Sequence, residues 1–437
     1  MQLLFLRLLT FMARALCCGL LLALPAWGQS AERGPDGPVV RLTVLADGQV
    51  LVGGRFTHYD GVERPGLARL LADGSLDPGF VPAPFPPGAT ILTMLGQADG
   101  RILVGGITHA PRCATCVKED GWGFLERRLP NGAVDSSFTW PFARRAGCVF
   151  DTMMQDDGRI LVSGGPFPGQ LPLASSALVR LLPDGRCDST FKVSQAAYPD
   201  AYRLTRQPDG QVLVVHNWVP GYSAGVPLHR LTTAGATDTT FTTGLGNQYN
   251  NPGEVAIQAD GRILVGGQED IRKGLATSTG LIRLLPNGRP DPTFAAPRFG
   301  NRTYVYALLV QPDGRIVCSS AFWLSNPEVE KSYRQYCALP FWKRRRASLR
   351  FSVATLENAR QGERRWRARH GWLQQLLPDG RADPGFHASR RPNGAVTVLA
   401  RLPDGQLLVG GEFTVYDGHP ARYLTRLRAD GTRADVR

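Results

Sequence analysis

A repeated Asp-Gly turn constrains this chain more than any other feature of its sequence. An Asp-Gly pair followed at once by an aliphatic run occurs at Asp47-Gly48 (QVLVGG), Asp99-Gly100 (RILVGG), Asp157-Gly158 (RILVSGG), Asp209-Gly210 (QVLVV), Asp260-Gly261 (RILVGG), Asp313-Gly314 (RIVCSS) and Asp404-Gly405 (QLLVGG). A second turn follows each one, in LLADGSLDPGF, RLPNGAVDSSF, LLPDGRCDSTF, LTTAGATDTTF, LLPNGRPDPTF, LLPDGRADPGF and LRADGTRADVR. The period is roughly fifty residues, which marks an array of supersecondary units rather than a string of unrelated domains.

Two turns per unit mean two hairpins, and two hairpins make four strands. In Leu182-Pro183-Asp184-Gly185, Pro presets φ at the first loop position, and Gly takes the left-handed position of a bulged hairpin. With P-D-G as the loop, Leu182 faces Arg186 and Arg180 faces Asp188. The same register sets Arg69 opposite Asp77, Arg127 opposite Asp135, Arg230 opposite Asp238 and Arg283 opposite Asp291. Opposite charges directly across paired strands stabilise the pairing. The sixth unit has Gln375 opposite Asp383, and the seventh has Arg426 opposite Ala434. Because these pairs recur in nearly every unit, they are expected to lock strands, since a single active site needs asymmetry. Phe80, Phe138, Phe191, Phe241, Phe294 and Phe386 follow the Asp positions at a fixed offset and are expected to anchor the core between units.

Seven such units predict an all-β chain, a seven-bladed β-propeller of four-stranded antiparallel blades over residues 29–437. The 50 Gly and 33 Pro suit many short strands joined by tight turns. A parallel β-helix would need shorter rungs, and a helical solenoid would need helical periodicity. The pairing of Q-P-D-G-[RQ]-[IV]-L-V-G-G with L-x-R-L-x-P-D-G-x-x-D-x-x-F resembles the delta-60 repeat β-propeller family of secreted bacterial proteins. That resemblance implies a propeller fold and export, and brings no reaction, cofactor or functional residue with it. The fourth unit departs from the pattern, with Val214-Val215-His216 where others carry paired glycines. The last unit ends without its Phe, and Gln29 to Pro38 is the spare segment expected to pair with the final blade.

Residues 1–28 read as a signal peptide: Arg7 and Arg14, an apolar run ALCCGLLLAL, then Ala26-Trp27-Gly28 as a small-x-small cleavage site. No later segment is long and apolar enough to span a membrane, so the mature chain is expected outside the cytoplasm, extracellular or in a bacterial cell envelope. The formal charge of +13 suggests nucleic acid until it is located. Most of the excess lies in an insertion in the sixth unit, at about 325–371, and the repeats are close to neutral. That distribution argues against nucleic acid as the partner.

The insertion contains FWKRRRASLRF and RQGERRWRARHGW. Lys343, Arg344, Arg345, Arg346, Arg364, Arg365 and Trp366 there could grip an anionic polymer, whereas a solvated loop with no ligand is the plainer reading. Cys113 and Cys116 form a C-x-x-C, expected first as a disulfide, then as free thiols, and only then as half a metal site, because no second pair accompanies it. The paired carboxylates Glu119-Asp120, Glu269-Asp270 and Glu328/Glu330 fall in loops. No catalytic set, metal site or cofactor is legible. The expectation is a non-enzymatic binding or scaffold module for a protein or glycan. A propeller-type polysaccharide hydrolase or lyase is the alternative, marked by carboxylates or arginines converging at one end of a central channel. Anionic-polymer binding through the insertion is a third reading.

Overall fold

Each Asp-Gly turn closes a hairpin by the same bonds. At the first, Gly48 N donates to Leu45 O (3.0 Å), Leu45 N donates to Gln49 O (2.8 Å), and Asp47 Oδ1 accepts Gln49 N (3.0 Å). Gly48 sits at φ 83°, a conformation that disfavours any side chain. The computed structural model describes residues 33–108, 122–142, 148–167, 176–191, 201–216, 228–243, 249–269, 280–296, 303–322, 371–387 and 392–434. The sheets all lie within Gly34–Arg437.

Seven three-stranded antiparallel sheets follow in chain order among the described residues. Sheet 1 comprises β1 (Val39–Val44), β2 (Val50–Gly54) and β5 (Leu67–Leu70), with β3 (His58–Tyr59) and β4 (Val62–Glu63) forming a small hairpin between its second and third strands. Sheet 2 comprises β6 (Ala89–Gly96), β7 (Ile102–Thr108) and β8 (Gly123–Arg128), and sheet 3 comprises β9 (Val149–Met154), β10 (Ile160–Phe167) and β11 (Ser176–Leu181). Sheet 4 comprises β12 (Ala201–Arg206), β13 (Val212–His216) and β14 (Leu228–Leu231). Sheet 5 comprises β15 (Tyr249–Ile257), β16 (Ile263–Glu269) and β17 (Leu281–Leu284). Sheet 6 comprises β18 (Thr303–Val310), β19 (Ile316–Phe322) and β20 (Gly371–Leu376). Sheet 7 comprises β21 (Val396–Arg401), β22 (Leu407–Gly411) and β25 (Leu424–Leu427), again with a small hairpin, β23 (Val415–Tyr416) and β24 (His419–Pro420).

A full fourth strand is expected in each unit, and the structure reduces it to a single bridging residue. The bridges are Leu70 to Leu76, Arg128 to Val134, Leu181 to Cys187, Leu231 to Thr237, Leu284 to Pro290, Leu376 to Ala382 and Leu427 to Arg433. In the first six sheets the cause is the Asp one residue on; sheet 7 has Ala434 there. Asp188 N donates to Arg180 O (2.9 Å), but Asp188 Oδ1 then accepts Thr190 N (2.9 Å) and Phe191 N donates to Asp188 O (3.2 Å). The side chain has turned the backbone away from the sheet.

The second strands are aliphatic throughout because both of their faces are covered. Val50 and Val52 pack with Val398 and Leu408 of sheet 7, whereas Leu51 packs with Ile91 and Ile102 of sheet 2. Such a cluster joins every consecutive pair of sheets, and another joins the seventh to the first. The first strands neighbour one another in the cyclic order β1, β6, β9, β12, β15, β18, β21 and back to β1. Hydroxyls knit this inner row: Thr43 Oγ1 donates to Met94 O (3.2 Å), Ser319 Oγ to Val396 O (2.8 Å) and Thr397 Oγ1 to Val39 O (3.0 Å).

The spare N-terminal segment is expected to pair with the final blade; its described part pairs with sheet 1 instead, with Gly34 lying beside Arg422 of the last unit. Pro35 bridges to Tyr59 and Asp36 N donates to His58 O (3.0 Å), so it covers the small hairpin of sheet 1. Sheets 7 and 1 meet through packing and the Thr397 bond to Val39 O. Gly410 has no Cβ because one would lie 2.8 Å from Val39 Cγ1, and Arg426 reaches the first unit's turn beside Gly74.

Candidate functional site

The arginine–aspartate pairs lie toward the third strand of each sheet. Arg69, Arg127, Arg180, Arg230 and Arg283 each donate from Nε to the opposed carboxylate of Asp77, Asp135, Asp188, Asp238 and Asp291, at 2.7–2.8 Å. Gln375 Nε2 donates to Asp383 Oδ2 (2.7 Å) in sheet 6. Each arginine does two further things. Its guanidinium lies over the trailing ring, 4.6–5.0 Å from the centroids of Phe80, Phe138, Phe191, Phe241 and Phe294. Its Nη1 reaches a backbone carbonyl in the next unit's turn, Pro130, Pro183, Thr233, Pro286 and Pro378 in order. The pair is thus a clamp between neighbouring sheets, repeated with the repeat. The Ser137 hydroxyl and backbone amide, with the Arg127 guanidinium, hold the Asp135 carboxyl down to about 2.

The inner row behaves differently. In all seven sheets the first strand carries a register shift at the same place, opposite the end of the second strand. A bulge re-aims the residue beside it. That residue, paired with the first position of the glycine pair or its counterpart, is Arg41, Thr93, Asp151, Arg203, Glu254, Ala307 and Val398 in sheets 1 to 7. One frame position therefore carries two cations, two anions and a hydroxyl on five sheets, then two apolar side chains.

These groups converge across the interior of the row. Arg41 Nη2 of sheet 1 lies 4.0 Å from Asp151 Oδ1 of sheet 3, an approach that passes over sheet 2, where Arg41 Nε also donates to the Leu92 carbonyl. Thr93 of sheet 2 sits between them and donates to Asp151 Oδ1 (3.3 Å). Asp151 Oδ2 accepts Leu204 N of sheet 4 (3.1 Å), and Arg203 Nε lies 3.4 Å from Glu254 Oε2 of sheet 5. The four charged side chains keep 13–26% of their surface in solvent, so a solute can reach them.

Burial raises both carboxyls, and the two are not equivalent. Desolvation lifts Asp151 above the usual carboxylate range, the Glu254 charge adds to the rise, and Arg41 opposes it. Glu254 is pushed up to about 7 by desolvation, with Arg41 again the opposing charge. The site thus offers two guanidinium groups as anion receptors, two carboxyls as acceptors for hydroxyl donors, and one carboxyl that exchanges its proton near neutrality. The layer lies away from the Asp-Gly turns, at the end of the row from which the connections between second and third strands leave.

Sequence reasoning did not single out Arg41, Asp151, Arg203 or Glu254. The carboxylate pairs it weighed are neighbours in sequence, whereas these meet only because β1, β9, β12 and β15 share one ring. A signal was there: each stands at the same distance ahead of the first glycine position. Of the residues weighed for binding, Lys343, Arg344, Arg345, Arg346, Arg364, Arg365 and Trp366 lie outside the described residues, as do Cys113 and Cys116. The insertion joins β19 at Phe322 to β20 at Gly371. Cys318 is a buried thiol within β19, and burial pushes it up to about 12. Among the described residues, no helix is long and apolar enough to cross a membrane.

The class these features define is the β-propeller repeat proteins. Residues 45–80, 155–191, 258–294 and 402–433 match a family described as "Domain of unknown function (DUF5122) beta-propeller". No curated protein matches the chain. Among solved structures it is similar to a catalytically inactive virginiamycin B lyase from Staphylococcus aureus (14% identity, TM-score 0.41, covering 68% of this chain and 83% of that one). It is also similar to a calcium-binding regucalcin from Agrobacterium tumefaciens (14%, 0.39, 70% and 90%) and to a gluconolactonase from Xanthomonas campestris (10%, 0.37, 89% and 96%). The activities in those names stay with those proteins.

Proposed function

We propose that this chain is a closed propeller of seven blades, of the delta-60 repeat type, that works outside the cytoplasm and binds the end of an acidic glycan at its inner charged layer. The observation that carries this reading is the single frame position occupied by Arg41, Thr93, Asp151, Arg203, Glu254, Ala307 and Val398. In a repeat fold, scaffold positions repeat and a site must not. Arg41 and Arg203 suit a sugar carboxylate, while Asp151 and Glu254 suit hydroxyl donors. The test is calorimetric titration with uronate-bearing and neutral oligosaccharides. Binding of the acidic members should fall at least tenfold when Arg41 and Arg203 are both changed to Ala. Equal affinity for acidic and neutral members, or no effect of the double change, would count against the proposal.

A second reading rests on the place of Glu254 in the layer, 3.4 Å from Arg203, where burial pushes its carboxyl up to about 7. A carboxyl poised there is matched to general acid–base work at neutral pH, as in cleavage of a polysaccharide. Product release from any bound glycan, abolished in Glu254→Gln with binding retained, would favour this enzymatic reading. Binding without turnover favours the first.

A further inference from the structure

The inner layer is balanced in charge, which a receptor for anions has no need to be. Around the row its frame position reads Arg41, Thr93, Asp151, Arg203 and Glu254, so the charges alternate in sign and come two and two. Arginines alone would attract an acidic ligand more strongly. A hydroxyl donor is met as well by a neutral Asn or Gln as by a carboxylate. The two carboxylates need a reason of their own.

Geometry supplies one. Both pairings run between sheets: Arg41 of sheet 1 passes over sheet 2 to within 4.0 Å of Asp151 of sheet 3, and Arg203 of sheet 4 lies 3.4 Å from Glu254 of sheet 5. A fully formed bond between a guanidinium and a carboxylate is about 2.7–2.9 Å long, a length that the clamps reach and these contacts do not. Each arginine is thus occupied without being locked. We infer that Asp151 and Glu254 are built-in competitors for Arg41 and Arg203, which an acidic ligand displaces as each carboxylate takes up a proton from solvent. This inference rests on the acidic-glycan reading above and makes the affinity of that site depend on pH.

The surroundings favour the exchange. Burial pushes Glu254 up to about 7 and raises Asp151, whose rise the Glu254 charge increases. Glu254 on β15 faces Arg203 of β12 and, across the row, Arg41 of β1. Of the other strands packed against β15, β18 brings Tyr304 and Tyr306, and β13 brings His216 at its last position. Asp151 on β9 faces Arg41 and Glu254. Other charges on strands packed against β9 are engaged elsewhere: Arg127 with Asp135, Arg128 with Glu126, and Arg206 with Asp156. A second carboxylate arriving at Arg203 favours the neutral form of Glu254, so binding draws in a proton and tightens as pH falls. An ordinary sugar carboxylate stays ionised from pH 6 to pH 8, so the dependence belongs to the protein.

The experiment is calorimetric titration of the full chain with an oligogalacturonate at pH 6 and pH 8, on wild type, Asp151→Asn and Glu254→Gln, each checked for folding by circular dichroism. Both substitutions keep the shape and an acceptor oxygen while removing the charge. Asp151→Asn also gives up a bond to the Leu204 or Thr152 amide, so Glu254→Gln decides alone if the first variant does not fold. At pH 8 each folded variant should bind at least threefold more tightly than wild type. Wild-type affinity should fall at least threefold from pH 6 to pH 8, and Glu254→Gln should lose most of that fall. Binding by the variants alone is the strong form of the same result. If wild type binds the probe and no folded variant binds it more tightly, or if wild-type affinity is the same at both pH values, the competition is overturned and the acidic-glycan reading stands. Absence of binding in every chain at both pH values overturns the two together.

Discussion

The outer clamps and the inner layer use the same residue types to opposite ends. Both consist of arginines and carboxylates, yet one is the same in five sheets and the other changes from each sheet to the next. In the clamp, Nε meets the carboxylate at 2.7–2.8 Å and Nη1 is spent on the neighbouring turn. In the layer the charges stand 3.4–4.0 Å apart and stay partly wet. A tight, buried ion pair has little left to offer a ligand, whereas looser, partly exposed charges that converge can still meet one. Repetition thus separates scaffold from site here more sharply than residue chemistry does.

The largest effect should come from cutting a clamp. Arg127→Ala removes bonds to Asp135 and Ser137, the link to Pro183 O and the ring contact with Phe138. It also leaves the buried Asp135 with the more distant Arg101 (3.4 Å) as its cation among the described residues. Denaturant unfolding should show a loss of about 2–4 kcal/mol. Arg41→Ala, in the layer, should cost less than half as much. Equal losses would erase the distinction between the two regions.

Next in size is Gly235→Ala, at the turn that seats on the previous unit's Phe191. Gly235 sits at φ 92°, and a Cβ would lie 2.3 Å from Phe191 Cε2, so ring and turn must separate. About 1–3 kcal/mol should be lost in the same measurement, with the inner layer's ligand affinity unchanged.

The last effect is a pH dependence whose sign belongs to the layer. Glu254 titrates at about 7 in the folded chain against 4.5 as an ordinary glutamate, so between those values the folded chain holds a proton the unfolded chain has lost. Stability therefore falls as pH rises through this window. Glu254→Gln removes that fall: it should match wild type at pH 4 and exceed it by about 1–3 kcal/mol at pH 8. The clamps run the other way. The Asp135 carboxyl, held at about 2, adds stability that is present above about 4 and lost as pH falls toward 2. A Glu254→Gln variant that is no more stable than wild type at pH 8 would show that the layer is not desolvated.

The clamps were legible in the sequence because they sit within one hairpin. P-D-G fixes the register between Arg180 and Asp188 locally, and no tertiary information is needed to bring them together. The shortened fourth strand was less legible. Asp188 both completes the pairing and bends the chain, and only the second action ends the strand. The layer was not read because Arg41, Asp151, Arg203 and Glu254 lie on four different first strands, each displaced by a bulge that shifts the alternation between faces. Their chemistry differs from unit to unit, so no motif connects them. What the sequence did offer was the frame, and reading down one column of that frame would have found them.

The most direct test measures melting temperature and acidic-oligosaccharide affinity on the same three samples: wild type, Arg127→Ala, and Arg41→Ala with Arg203→Ala. If the layer is the site and the clamps are the frame, the double variant keeps its melting temperature within a few degrees and loses affinity at least tenfold. Arg127→Ala should then melt well below wild type while binding as tightly at low temperature. Lost affinity in Arg127→Ala, with the double variant binding as wild type does, would contradict the division.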